Sequence, residues 1–141
     1  MEVTYLKYFA YGSNMGLAAL DRMGVQYKDV QPAVLKHWEL VFNIPESKYP
    51  GFGYANVLQK ESAEVRGLLM DLHPDSLTVL DDYEVFPLDY LKKKVSVELK
   101  NGEQKNCFIY VGNPLVTSTP LMPIPEHWAI IDHAHFEMEC A

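Results

Sequence analysis

Val95, Val97 and Leu99 alternate with Lys94, Ser96, Glu98 and Lys100, and Asn101-Gly102 follows directly. Period-two alternation makes one apolar and one polar face, the pattern of a half-exposed strand. Asn and Gly both tolerate positive φ, so the pair suits a tight hairpin turn. Residues 107–111 then read as the returning partner strand. This hairpin sits late in a chain that has several other strand-like runs. Residues 7–11 are aromatic and short, and Gly12-Ser13-Asn14 bounds them, as expected of a buried first strand. Residues 33–43 alternate with Trp38, Leu40 and Phe42 on one face, while 54–58 and 65–72 are apolar enough for two further buried strands. Residues 44–53, with two prolines and two glycines, read as a loop.

Only three helices are expected among these strands. The first covers 15–23, with Asn14 or Ser13 as its cap and Gly24 to end it. The second opens at Pro74-Asp75 and runs to about Glu84, and the third starts at Pro125-Glu126 and carries Trp128, Ile131 and Ala134. Many strands with few helices predict an α+β or β-barrel-like core and exclude a doubly wound sheet.

The chain has 141 residues, enough for one domain spanning 1–141 and too few for separate cofactor and substrate lobes. Twelve basic against 19 acidic side chains give a net charge of −7, which argues against binding a phosphate backbone. No apolar run approaches a membrane span, and the start Met1-Glu2-Val3-Thr4 lacks the basic, then apolar, pattern of a signal peptide. The two cysteines, Cys107 and Cys140, form no framework, as in a reducing compartment. A cytoplasmic protein, without nucleic-acid or membrane partners, is expected.

Two constellations carry chemistry. In the first, Gly12-Ser13-Asn14 joins a buried strand to a helix. Glycine there lets the backbone turn sharply and a ligand approach closely. The amides opening the next helix lack intrahelical partners and suit a carboxylate or an oxyanion. The simpler reading of the same residues is a helix cap. They match neither a P-loop nor a GxGxxG fingerprint, so nucleotide chemistry has no support. In the second, Leu77, Leu80 and Glu84 share a helix stripe, since seven steps of about 100° return Glu84 to within about 20° of Leu77. An acid on the core-facing stripe loses hydration, and its pKa rises towards neutrality. Alternatively, Glu84 ends the helix, or Tyr83 takes the inward position. Asp81 and Asp82 fall off the stripe and read as solvated surface.

Other clusters read as surface. His133 and His135 diverge by about 200° on a helix and cannot share a metal, and no third ligand joins them or His127 at suitable spacing. Lys92-Lys93-Lys94 read as a solvated strand edge. No GxSxG elbow occurs, and neither cysteine is placed as a nucleophile.

Taken together, Tyr8-Phe9-Ala10-Tyr11-Gly12-Ser13-Asn14, Ala55-Asn56, Val65-x-Gly67, Leu80-Asp81-x-x-Glu84, Tyr110 and Pro123-x-Pro125-x-x-Trp128-x-x-Ile131 form a recognisable set. The chain resembles the gamma-glutamylcyclotransferase-like family, small enzymes that include avirulence-induced-gene-like proteins. The likeness runs from Lys7 to about Ile131. It implies a small mixed β-barrel flanked by a few helices, with a cavity where the YGSN loop faces the family's glutamate. It also implies that Tyr8, Phe9, Ala10, Tyr11, Gly12 and Ser13 line the substrate site, that Asn14 braces the loop and that Tyr110 reaches the substrate. Glu84 becomes the acid/base.

The family's reaction cyclises a γ-glutamyl unit, releasing 5-oxoproline and an amine or amino acid, and requires neither metal nor organic cofactor. The implied partner is a small γ-glutamyl compound, with a homodimer left open. One departure is local: the family commonly has Gly after the glutamate, where this chain has Val85 and then Phe86-Pro87. The walls beside the leaving group are expected in 44–53 and 85–88. A non-catalytic module binding a γ-glutamyl or other carboxylate ligand on the same scaffold is the rival reading.

Overall fold

The structure is a computed structural model in which residues 2–140 are described. Five strands close into a barrel: β1 (Leu6–Ala10), β2 (Tyr27–Pro45), β3 (Phe52–Leu72), β4 (Tyr90–Leu99) and β5 (Gln104–Gly112). Neighbours follow the order β1-β5-β4-β2-β3, and β3 pairs back onto β1 to complete the ring. All of these pairings are antiparallel except β1 with β5, which meet in parallel at Tyr8 and Phe108. A short β6 (Met122–Pro123) adds in parallel to the start of β3. The expected α+β barrel in one domain is therefore present.

The hairpin legible in the sequence joins β4 to β5, with Glu98 opposite Gln104. Its turn uses one positive φ rather than two. Gly102 takes φ 89°, while the Asn101 side chain accepts a 2.9 Å bond from the Glu103 amide. The stretch 44–53 is less loop than expected. Ile44 and Pro45 finish β2, Phe52 and Gly53 start β3, and only 46–51 turn between them. Likewise 54–58 and 65–72 belong to one strand of 21 residues. The polar run between them lies opposite a bulge, where His37 takes φ 72° and the β2–β3 register jumps. A closed sheet has to bend sharply somewhere, and bulges are the usual means.

Side-chain alternation divides the core in two. Phe9, Ala33, Leu35, Val65, Leu69, Val97 and Ile109 come from all five strands and fill the barrel interior. Their sequence neighbours Tyr8, Ala10, Met70, Leu72 and Tyr110 point outward and are covered by Leu20, Leu80 and Ile131. Those three belong to helices α1 (Leu17–Met23), α2 (Leu77–Tyr83) and α3 (Pro125–Cys140). Gly67 marks a point of closest approach. A Cβ there would stand 2.4 Å from the Ala10 carbonyl and 2.5 Å from the Phe9 ring, so only glycine lets β3 lie against β1. Among the described residues, no helix is long and apolar enough to cross a membrane.

Candidate active site

The chain leaves β1 through a single 3-10 turn, Ser13–Met15, before α1 begins. The turn is set by a 3.0 Å bond from the Met15 amide to the Gly12 carbonyl. The Gly12 and Ser13 amides precede that first bond and have no partner within the turn. Neither Ser13 nor Asn14 caps α1, whose N-cap is Gly16. Asn14 is buried and turned the other way. Its Nδ2 donates to Tyr8 Oη at 2.9 Å and to Glu84 Oε1 at 2.9 Å. The cap reading is thus corrected, because α1 starts at Leu17, two residues later than expected, and the Asn14 side chain is directed into the fold.

Glu84 comes from the opposite side, at the C-terminal cap of α2. Glu84 ends the helix, as one alternative had it, and still follows the Leu77–Leu80 stripe inward. Leu80 is fully buried, and Glu84 turns into a cavity whose lining Tyr83, 45% exposed, also joins. Removal from water raises the Glu84 carboxyl to about 7, against the lowering effect of the Asn14 bond. Val85 then takes φ 51°, a left-handed conformation costly for a β-branched residue. A glycine after the glutamate meets no such penalty, which is a physical reason for the residue common at that place.

The cavity, about 250 Å³, opens where the barrel end meets the helices. It brings together Tyr8, Tyr11, Gly12, Ser13, Asn14, Glu84 and Tyr110. Phe9 and Ala10 are not on its lining. Phe9 points into the barrel interior, and Ala10 packs beneath the helices. Three tyrosines of the lining commit their hydroxyl protons to the protein. Tyr11 donates to the Tyr110 carbonyl at 2.5 Å, Tyr90 to the Ala55 carbonyl at 2.6 Å, and Tyr110 to Asp81 Oδ1 at 2.6 Å. Tyr8 differs, since its oxygen accepts from Asn14 and its own proton stays available. Burial, and secondly the nearby Glu84, push the Tyr8 phenol well above its ordinary value, so it remains a neutral donor.

Several residues read as surface belong to this neighbourhood. Asp81 is half-buried, accepting from Tyr110 on one oxygen and from Lys92 Nζ at 2.9 Å on the other. Lys92 in turn stands 4.4 Å above the Phe86 ring, which ties the 85–88 segment to the sheet. The lysine-edge reading therefore fails for Lys92. His127, Tyr54 and Asp89 also line the cavity. The surface reading of His127 is corrected, because its ring is half-buried against Tyr54, while Tyr54 and Asp89 were not singled out in the sequence. Tyr54 adjoins the Ala55-Asn56 pair and His127 adjoins Trp128, so both stand beside motif residues and carried a positional signal. Asn56 explains its own pair: fully buried, it donates to Asn43 Oδ1 at 3.0 Å and accepts from the Gly112 amide at 2.7 Å, fixing the wall that Ala55 forms. His133 and His135 lie elsewhere, against Glu137 and the Arg66 carbonyl.

A closed five-stranded mixed barrel with an acid-bearing cavity at one end defines a known class. The family model described as gamma-glutamyl cyclotransferase, AIG2-like, matches residues 8–129, and the chain belongs to this family. No curated protein matches it by sequence. Among solved structures it is similar to one titled gamma-glutamyl cyclotransferase, with TM-score 0.80 and 24% identity over 94% of this chain and 79% of that one. It is also similar to the uncharacterized protein loc79017 from Homo sapiens, with TM-score 0.79 and 24% identity over 95% and 80% of the two chains. YkqA from Bacillus subtilis shares the fold at TM-score 0.69 and 23% identity, over 92% of this chain and 48% of that one.

Proposed function

We propose that the protein cyclises a γ-glutamyl amide or peptide, releasing 5-oxoproline and an amine or amino acid. The observation that carries this reading is the Glu84 carboxyl, raised to about 7 and held by Asn14 in the same cavity as the Gly12-Ser13 turn. Two obstacles stand in the way of the reaction. The substrate's α-amino group is mostly protonated at neutral pH, and attack on the γ-carbonyl creates an oxyanion. Glu84, ionised in about half of the molecules near pH 7, takes the ammonium proton. The freed amine attacks the γ-carbonyl carbon of its own molecule, and the five-membered ring forms.

The Gly12 and Ser13 amides and the Tyr8 hydroxyl are the donors available to the substrate carboxylate and the oxyanion. Collapse of the intermediate breaks the bond to the leaving nitrogen, to which Glu84 returns the proton. The ring nitrogen, cationic after the attack, gives its second proton to the freed Glu84 carboxylate, which passes it to the released amine. Both reacting groups belong to one molecule, so the aromatic walls of Tyr11, Tyr90 and Tyr110 need only hold it in a folded pose. No step calls for a metal or organic cofactor.

Incubation with a panel of γ-glutamyl amides, followed by mass spectrometry, tests the reading. Free amine and 5-oxoproline in equal amounts are expected from the wild type, and neither from Glu84→Gln. Thermal stabilisation by these compounds without product would mark a binding module instead.

A further inference from the structure

The cavity is buried at one end and open at the other. Tyr8, Tyr11 and Tyr110 are buried, Tyr54, Glu84 and His127 are half-buried, and Tyr83 and Val85 are exposed, so the mouth is bordered by both the α2 end and the Tyr54–His127 wall. On the cyclisation reading, the γ-glutamyl end lies inside beside Glu84, so the leaving group, whatever its size, extends through this mouth. Neither lysine nor arginine is among the described residues lining the cavity, and His127 is the one lining side chain that can become a cation. Its ring lies 5.7 Å from that of Tyr54, whose hydroxyl is tied to Glu46. The imidazole is thus held in a braced wall rather than free on the surface.

The groups around it are Glu126 on its own helix, Glu46 on the turn between β2 and β3, Tyr54 on β3, and Glu84 and Asp89 in the same cavity. All the charged ones are carboxylates. A leaving group that carries a carboxylate therefore meets repulsion unless the imidazole is charged.

We propose that His127 is a specificity-determining residue that reads the charge of the leaving group. Neutral, it leaves the mouth hostile to a carboxylate; protonated, it pairs with one. Burial lowers the imidazole below its ordinary value, against the opposing pull of Glu126 and Glu46, so the neutral form prevails at neutral pH. The inference rests on the cyclisation reading for the side of the cavity that the leaving group occupies.

Calorimetric binding to the Glu84→Gln protein separates the two ideas, because this variant removes turnover and the titration of Glu84 together. The probes are γ-glutamylbutylamide, with an uncharged leaving group, and γ-glutamylalanine, with a carboxylate. Between about pH 7.5 and about pH 5, the preference for γ-glutamylalanine over the butylamide should rise roughly three- to tenfold, the effect of one half-exposed ion pair. Adding His127→Asn should flatten that change, and adding His127→Lys should hold the preference high at both pH values. A preference that stays constant with pH, or that moves equally without His127, overturns the inference. If the wild type makes 5-oxoproline while the preference stays fixed, the inference alone fails. If neither compound binds, it falls together with the cyclisation reading.

Discussion

Asn14 and Glu84, 70 residues apart in the chain, meet through a 2.9 Å hydrogen bond from the amide nitrogen to the carboxylate. The bond opposes the larger effect of burial, which lifts the acid to about 7. Replacing Asn14 by Leu removes the opposing contribution and leaves desolvation alone. The acid limb of the pH–rate profile should then move upward by roughly one unit, the scale of a charge-assisted hydrogen bond. An unmoved limb with activity intact would show that Asn14 does not tune Glu84.

In the wild type, kcat/KM should rise with pH through about 7, because proton removal needs the carboxylate form of Glu84. Initial rates across a buffer series check this. A rate that is flat from pH 5.5 to 8 would contradict the assigned base.

Stability should run the opposite way. A carboxyl raised from 4.5 in the unfolded chain to about 7 in the folded one binds more protons when folded. Folding stability is then greatest below about pH 4.5 for this group and falls by about 3 kcal/mol as pH rises through 7. Glu84→Gln escapes that loss. Its melting temperature should exceed that of the wild type at pH 8 and match it near pH 4, while turnover is absent. Equal melting temperatures at both pH values would contradict burial of the charge.

Val85 takes φ 51° directly after the acid. Left-handed backbone costs a β-branched residue about 1–2 kcal/mol, and glycine offsets part of the gain through its looser unfolded state. Val85→Gly should keep or raise the melting temperature, and calorimetry would detect a fall that contradicts the strain.

Gly67→Ala should do the reverse. A methyl 2.4 Å from the Ala10 carbonyl cannot be accommodated without parting β3 from β1. A loss of about 3 kcal/mol or more is expected in urea titrations, and a loss under about 1 kcal/mol would show that the seam gives way easily.

The barrel class, the β4–β5 hairpin and the inward acid were legible because each rests on local periodicity or on a short motif. Leu77, Leu80 and Glu84 needed only the pitch of a helix. The length of β3 was not legible, because its polar middle is solvated at a bulge and hydropathy cannot tell a bulge from a break. The partners of Asn14 were hidden for another reason. Its side chain looks like a cap, whereas tertiary structure supplies Tyr8 and Glu84 as acceptors for its Nδ2 from outside the turn. Asp81 misled in the same way, since helix spacing places it off the stripe, while its partners Tyr110 and Lys92 come from β5 and β4. Phe9 and Ala10 share a motif with Tyr8 and Tyr11 but pack into the core, because membership of a motif records both the walls of a cavity and the strand that carries them.

The parallel seam at Tyr8 and Phe108 has a consequence for how the molecule is made. β1 lacks one of its two barrel neighbours until β5 has been synthesised, and the cavity lacks a wall until α3 follows. A nascent chain halted before residue 104 holds the YGSN turn and the acid but has no ring to mount them on. Activity should therefore arrive in one step, once α3 has been made, and not accumulate as the chain lengthens.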